Sequence, residues 1–255
     1  PGTKPLHSIV KLTVEQKGFV HGSLILDNAG YESTGKYQGT MYVSFSQLAG
    51  LNDTLSASIT KDMGHHGDGH GSKQYAINYA VPDGNRMYRL STYQYSYHQL
   101  VFMPEAFRSS GNTRGIEFSV EQVLNRTSRS KTAAVAKVIH KTRHSYIDDI
   151  EIGVQEQHTT ALELGLSHRQ YSGNTMSDIY LFYRQGIRGL GATVRSWEGV
   201  ADNPTTLYKM AGLEGEVQSG VRIGHKQGVY TMRFRSQFTN QRLFGTDQFS
   251  IGGRY

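Results

Sequence analysis

Apolar and polar residues alternate along most of this chain with a period of two. In Lys36–Phe45, Tyr37, Gly39, Met41, Val43 and Phe45 share one face, and Lys36, Gln38, Thr40, Tyr42 and Ser44 share the other. The same alternation sets Val20, Gly22, Leu24 and Leu26 together, then Ile116, Phe118 and Val120 against Glu117, Ser119 and Glu121. It returns with Leu162, Leu164 and Leu166 against Glu163, Ser167 and Arg169, and with Tyr230, Met232, Phe234 and Phe238 against Arg233, Arg235 and Gln237. Successive side chains of a strand point to opposite faces, so this pattern predicts strands with one apolar and one polar face. About eleven segments fit, near 17–27, 36–46, 54–61, 73–81, 87–97, 113–123, 131–141, 158–171, 175–187, 206–217 and 229–239. The registers at 131–141 and 206–217 stay open, and no segment carries a helical stripe.

The connections alternate in length. Leu48–Asp53, Pro82–Asn85, Asn125–Ser130 and Ser172–Asn174 are short, whereas Lys61–Ser72, His98–Asn112, Thr142–Gln157 and Leu190–Thr205 are long. Asn28–Gly35 is short for the long side, and Val217–Gly228 is long for the short side. One long side and one short side predicts an outer-membrane barrel, with long loops outside and short turns in the periplasm. The apolar face of Tyr37–Phe45 would rise about 20 Å at a tilt of about 40°, close to the height of a barrel's apolar band. Tyr37 and Phe45 then mark its borders, and Tyr93, Tyr95 and Tyr97 are expected to add to an aromatic girdle near the outer end of their strand. The predicted fold class is all-β: a transmembrane antiparallel β-barrel.

Composition narrows the alternatives. There is no cysteine among 255 residues, so no disulfide frame or thiolate metal site is available. Hydrophobic residues make up 37%, and no apolar run reaches the roughly 18–20 residues of a spanning helix. Gly 29 and Tyr 16 suit a sheet with many turns. Pro1–Lys11 has no apolar core of a signal peptide, so any export signal is expected upstream. The +6 charge comes without a run of Lys/Arg, which disfavours nucleic acid as a partner.

Candidate chemistry is sparse. Gly30–Lys36 fits most of a phosphate-binding loop, but Tyr37 stands where Mg²⁺ needs Ser or Thr, and a strand follows instead of a helix. His65, His66, Asp68 and His70 could meet a metal, yet their Gly-rich setting reads as a solvated loop. Asp148 and Asp149 read as solvated loop acids. No nucleophile elbow, zincin helix or Ser/His/Asp order is present, so no enzyme activity, cofactor or metal is expected. Parity instead turns Glu117, Glu121, Glu163, Arg169, Asp178, Arg184, Arg233 and Arg235 toward a polar lumen. A lipid-facing Arg or Lys near the midplane would cost about 2–4 kcal/mol.

Two stretches are more specific than periodicity. Asp27-Asn28-Ala29-Gly30, Ser33-Thr34-Gly35, Tyr37-Gln38-Gly39 and Gly50-Leu51-Asn52-Asp53 resemble the first barrel hairpin of the two-partner secretion transporters, the haemolysin-activator family of ShlB, FhaC, HecB and CdiB. Leu243–Tyr255 resembles that family's lead-in to a loop that folds back into the pore, with Phe249, Gly252, Gly253, Arg254 and Tyr255 at the loop's base. The resemblance implies two periplasmic POTRA domains and a barrel of about sixteen strands, of which about eleven are here. Residues 1–17 would be the end of the second POTRA domain and a linker, and 18–255 the amino-terminal part of the barrel. The implied partner is a large secreted TpsA-type protein, a haemolysin, adhesin or contact-dependent inhibition toxin, exported unfolded without ATP. The implied setting is a monomer among outer-membrane lipid and lipopolysaccharide of a Gram-negative bacterium. The family's loop tip, with its arginine and the acidic residue that it meets, would lie beyond Tyr255, so the chain is expected to be a fragment with unpaired edges. The rival readings are a passive porin-like channel and a soluble β-sheet adhesin.

Overall fold

Period-two alternation becomes one antiparallel meander. In a computed structural model, described over residues 18–64, 69–193, 205–224, 226–245 and 247–248, the elements are β1 (Val20–Asp27), β2 (Gln38–Ser46), β3 (Thr54–Asp62), β4 (His70–Asp83), β5 (Arg86–Met103) and β6 (Glu105–Arg126). They continue as β7 (Ser130–Ile147), β8 (Ile150–Glu151), β9 (Gln157–Ser172), β10 (Thr175–Gly186), β11 (Lys209–Ile223) and β12 (Lys226–Phe238). Every strand pairs with its neighbour in sequence, save that two-residue β8 caps β7 and β9 takes the next place in the sheet. Among the described residues β1 and β12 are the two ends of the sheet, and no helix is long and apolar enough to cross a membrane.

Apart from one shift between Val123 and Asn125 at the end of β6, registers run straight across the sheet, so each face can be followed from strand to strand. Leu164 faces Tyr183 on one side and Ala136 on the other. Leu90, Phe118 and Val138 continue the same face. This apolar face is exposed: Leu164 is 65% accessible, and Leu24, Leu26, Met41, Ile77 and Leu181 are also open. On the opposite face Ala133, Val135, Ile139, Ala161 and Ser119 are buried, Ala161 against Leu243 of the segment that follows β12. The sheet is therefore curved, with its polar face concave and self-shielded and its apolar face convex. A continuous apolar surface of this extent is incompatible with bare water.

The connections differ from the sequence expectation in a consistent way. The segment expected as the long loop His98–Asn112 is paired strand up to Met103 and Glu105. Much of Thr142–Gln157 is also strand, since β7 reaches Ile147 and turns back through β8. The connection expected over Val217–Gly228 is a tight turn between Ile223 and Lys226. Polar residues such as Ser96, Ser109 and Ser110 hide these extensions: above an apolar band a strand loses its alternation but keeps its ladder.

The longest turn on the short side, Gln47–Asp53, is tied by one carboxylate. Asp53 is buried, and its two oxygens accept from the amide of Ala49 at 3.0 and 3.1 Å, with the Leu51 amide 3.2 Å away. Gln47, Gly50 and Asn52 take positive φ of 61°, 72° and 55°, which the ties hold in place. Burial pushes the Asp53 carboxyl up, but the amides of Ala49 and Leu51 outweigh it and hold the group below the usual carboxylate range. Stability from a depressed pKa is full above the unfolded value of about 3.9 and is lost as pH falls through the folded value. The Ala49 and Leu51 amides are therefore expected to stay protected from hydrogen exchange at pH 4.5 and to open only in stronger acid. Asp53→Asn should expose them already at neutral pH.

Candidate functional site: the concave polar face

The concave face carries acids and bases that alternate from strand to strand. On β7 Lys137 pairs in register with Glu163 of β9, and Glu163 in turn with Arg184 of β10. The Glu163 carboxylate, wholly buried, lies 2.9 Å from Lys137 Nζ and accepts from Arg184 Nε at 2.7 Å and the Tyr180 hydroxyl at 2.7 Å. Glu117 of β6 lies 3.9 Å from the same ammonium. Nearer the short turns, Glu121 joins Arg89 at 3.0 Å and Lys131 at 2.5 Å, and Arg169 Nε donates to Asp178 at 2.7 Å. On the last two strands Arg233 meets Glu216 at 2.5 Å and Arg235 meets Glu214 at 3.0 Å.

Glu117, Glu121, Glu163, Arg169, Asp178, Arg184, Arg233 and Arg235 thus all occupy one face of the sheet. Sequence reasoning missed their partners Arg89, Lys131, Lys137, Glu214 and Glu216. All but Arg89 sit in the segments 131–141 and 206–217, whose registers parity alone leaves open. Once Glu163 is placed, cross-strand pairing turns Lys137 inward.

The three tyrosines of β5 need correction. Tyr93, Tyr95 and Tyr97 lie opposite Gly115, Thr113 and Gly111, on the same face as Ser91 and Arg89. They belong to the concave polar face and not to an outer girdle. Tyr37, by contrast, is exposed on the convex side. Here glycine serves a close approach. A Cβ at Gly115 would meet the Tyr93 ring at 2.2 Å, and one at Gly111 would meet Tyr97 at 2.7 Å. The same fit lays Tyr180 over Gly165 and Phe182 over Gly212. Each ring lies flat along the wall because its neighbour has no side chain.

After β12 the chain turns back onto this face. Leu243 is buried with Ala161, Phe182, Tyr208 and Met210. Asp247 anchors the returning segment: its Oδ1 accepts from Tyr208 at 3.0 Å and lies 3.1 Å from Lys141 Nζ of β7. Gln237 Nε2 donates to the Asp247 carbonyl at 2.7 Å. The segment therefore spans from β12 across the concavity to β7. Phe249, Gly252, Gly253, Arg254 and Tyr255, expected as a loop base, lie outside the described residues, as do residues 1–17 and His65, His66 and Asp68. The Gly30–Lys36 loop closes on itself, the Gly30 amide donating to the Lys36 carbonyl at 3.0 Å. Asp148 and Asp149 are exposed, as expected of loop acids, and Asp148 also accepts from the Arg108 amide at 2.8 Å.

Comparison with known proteins agrees with this architecture. Residues 7–255 match the family model described as haemolysin secretion/activation protein ShlB/FhaC/HecB. The outer membrane transporter CdiB-2 of Burkholderia pseudomallei is 30% identical over 100% of this chain and 44% of its own length. The hemolysin transporter protein HpmB of Proteus mirabilis is 21% identical over 98% of this chain and 45% of its own. Among solved structures, CdiB from Escherichia coli superposes with a TM-score of 0.86 at 23% identity, over 94% of this chain and 44% of that one. CdiB from Acinetobacter baumannii gives 0.76 at 28%, over 93% and 42%. The chain thus spans less than half the length of the relatives it matches.

Proposed function

Because the chain belongs to the haemolysin secretion/activation family ShlB/FhaC/HecB, we propose that it forms part of an outer-membrane barrel that exports a large partner protein through its lumen. The observation that carries this reading is the concave face, on which acids and bases of β5 to β12 stand in cross-strand ion pairs. An extended polypeptide in transit satisfies few of its own backbone groups and needs a wet wall of donors and acceptors. A wall of one sign would retain segments of the other sign. A wall of paired charges presents polar contacts with little net field, so it can pass a chain of varied sequence. Convex leucines face lipid, and ladder bonds satisfy the strand backbone.

The lumen residues are Glu117, Glu121, Glu163, Arg169, Asp178, Arg184, Arg233 and Arg235, with Lys131, Lys137, Glu214 and Glu216. The segment held by Asp247 is the root of a loop that narrows the lumen at rest. In this reading, folding of the cargo outside gives export its direction. The relative named hemolysin transporter HpmB points to haemolysins as one class of cargo, beside the adhesins and contact-dependent inhibition toxins that the family resemblance implies. The full-length transporter in liposomes should move its partner inward with no nucleotide present, scored by protease protection. A strict requirement for ATP in that purified system refutes this reading. So does free passage of small solutes with no passage of partner, which would make the barrel a porin.

A further inference from the structure

At the long-connection end of the β7–β9 hairpin, histidine and carboxylate side chains from both strands converge. His144 of β7 and His158 of β9 stand on the convex face with ring centroids 5.7 Å apart. Glu151 of β8 brings Oε1 to 2.6 Å from His144 Nδ1, and Glu156 brings Oε1 to 3.1 Å from His158 Nε2. One ligand atom from each of His144, Glu151 and Glu156 lies within 4.8 Å of the others. The backbone fixes this cluster: Tyr146 pairs with Glu151, Ile147 with Ile150, and the Ile152 amide donates to the Ser145 carbonyl at 2.8 Å. The four side chains are partly exposed, so an ion from bulk water can reach them.

We propose that His144, Glu151, Glu156 and His158 form a binding site for a borderline divalent cation, zinc(II) above all. Two imidazoles and two carboxylates suit the tetrahedral preference of zinc, with Zn–N and Zn–O bonds of about 2.0–2.2 Å. Such bonds set neighbouring ligand atoms about 3.4 Å apart in a tetrahedron: His144, Glu151 and Glu156 converge to within 4.8 Å, and His158, 3.1 Å from Glu156, would complete the set by turning its ring toward them. Any proton shared between His144 and Glu151, or between His158 and Glu156, leaves to solvent when the metal takes its place. Calcium fits poorly, since it takes six to eight oxygens and avoids imidazole. The cluster sits beyond the last outward apolar residues of its strands, Val138 and Leu162, so it lies above the lipid on the side of the long connections. A bound ion would pin the returning end of this hairpin across β7, β8 and β9.

The test is titration of the full-length transporter in detergent, free of affinity tag, with zinc(II) by calorimetry and with cobalt(II) by visible absorption. The wild type is expected to take up one equivalent more zinc than His144→Ala/His158→Ala at micromolar free metal, and to show an intense visible band of tetrahedral cobalt that the double variant lacks. Retained resistance of the unboiled double variant to SDS confirms that its barrel is folded. Zinc should also protect the Asp148–Glu156 connection from proteolysis in the wild type alone. Equal stoichiometry in both proteins, or no uptake by the wild type, overturns the proposal. Neither result bears on transport, which the liposome assay reads separately.

Discussion

Glu163→Ala is expected to destabilise the full-length transporter by about 3–5 kcal/mol, the usual consequence of removing one member of a buried ion pair. Glu163 has no exposed side-chain surface and is shared by Lys137, Arg184 and Tyr180. Without it two cations face each other across β9, and the Tyr180 hydroxyl loses its acceptor. Urea unfolding in lipid vesicles, followed by tryptophan fluorescence, measures the loss. Adding Lys137→Met and Arg184→Met should restore most of it, because no uncompensated charge remains. If the single variant costs less than 1 kcal/mol, water in the lumen replaces the carboxylate and the network is not structural. Asp178→Ala should lie at that lower end, since the Arg169–Asp178 pair is partly exposed.

A second large effect belongs to the opposite face of the same strand. Leu164→Arg is expected to cost about 2–4 kcal/mol, as for an arginine at the midplane of a barrel's lipid face. Ser167→Arg, three residues away but turned to the concavity, should cost far less. Leu164 and Ser167 stand on opposite faces of one strand, so the pair tests the assignment of faces. Similar penalties in both variants, under the same urea assay, would mean that the convex face does not meet lipid.

The faces of β6, β9, β10 and β12 were legible because their inward residues are charged and their outward residues are large and apolar. Glu163 between Leu162 and Leu164 admits one reading. Lys137 does not: it lies among Ala133, Ala134, Val135 and Ala136, small residues that tolerate either face, so only the ladder to β9 orients it. Tyr93, Tyr95 and Tyr97 failed for a related reason. A tyrosine suits a membrane border or a watery lumen equally well, and what decides is Gly111 and Gly115 on the next strand. Asp247 was out of reach altogether. Its partners Lys141 and Tyr208 stand 106 and 39 residues away, and periodicity carries no information across such gaps.

The meander has a consequence for how the molecule comes into being. Apart from the small cap at β8, each strand's partners are its immediate predecessor and successor. Save between β10 and β11, the loop to be closed before each new strand docks is short, and the entropy lost at each step is correspondingly small. Growth can therefore proceed hairpin by hairpin along one advancing edge, each arrival covering the bare amides and carbonyls of the one before. A slip of one residue during any docking would send every leucine of that strand into the water and every charge into the lipid. The leucines of β9 thus bind its register to its docking: one alignment alone sets them on the convex side and the charges on the other.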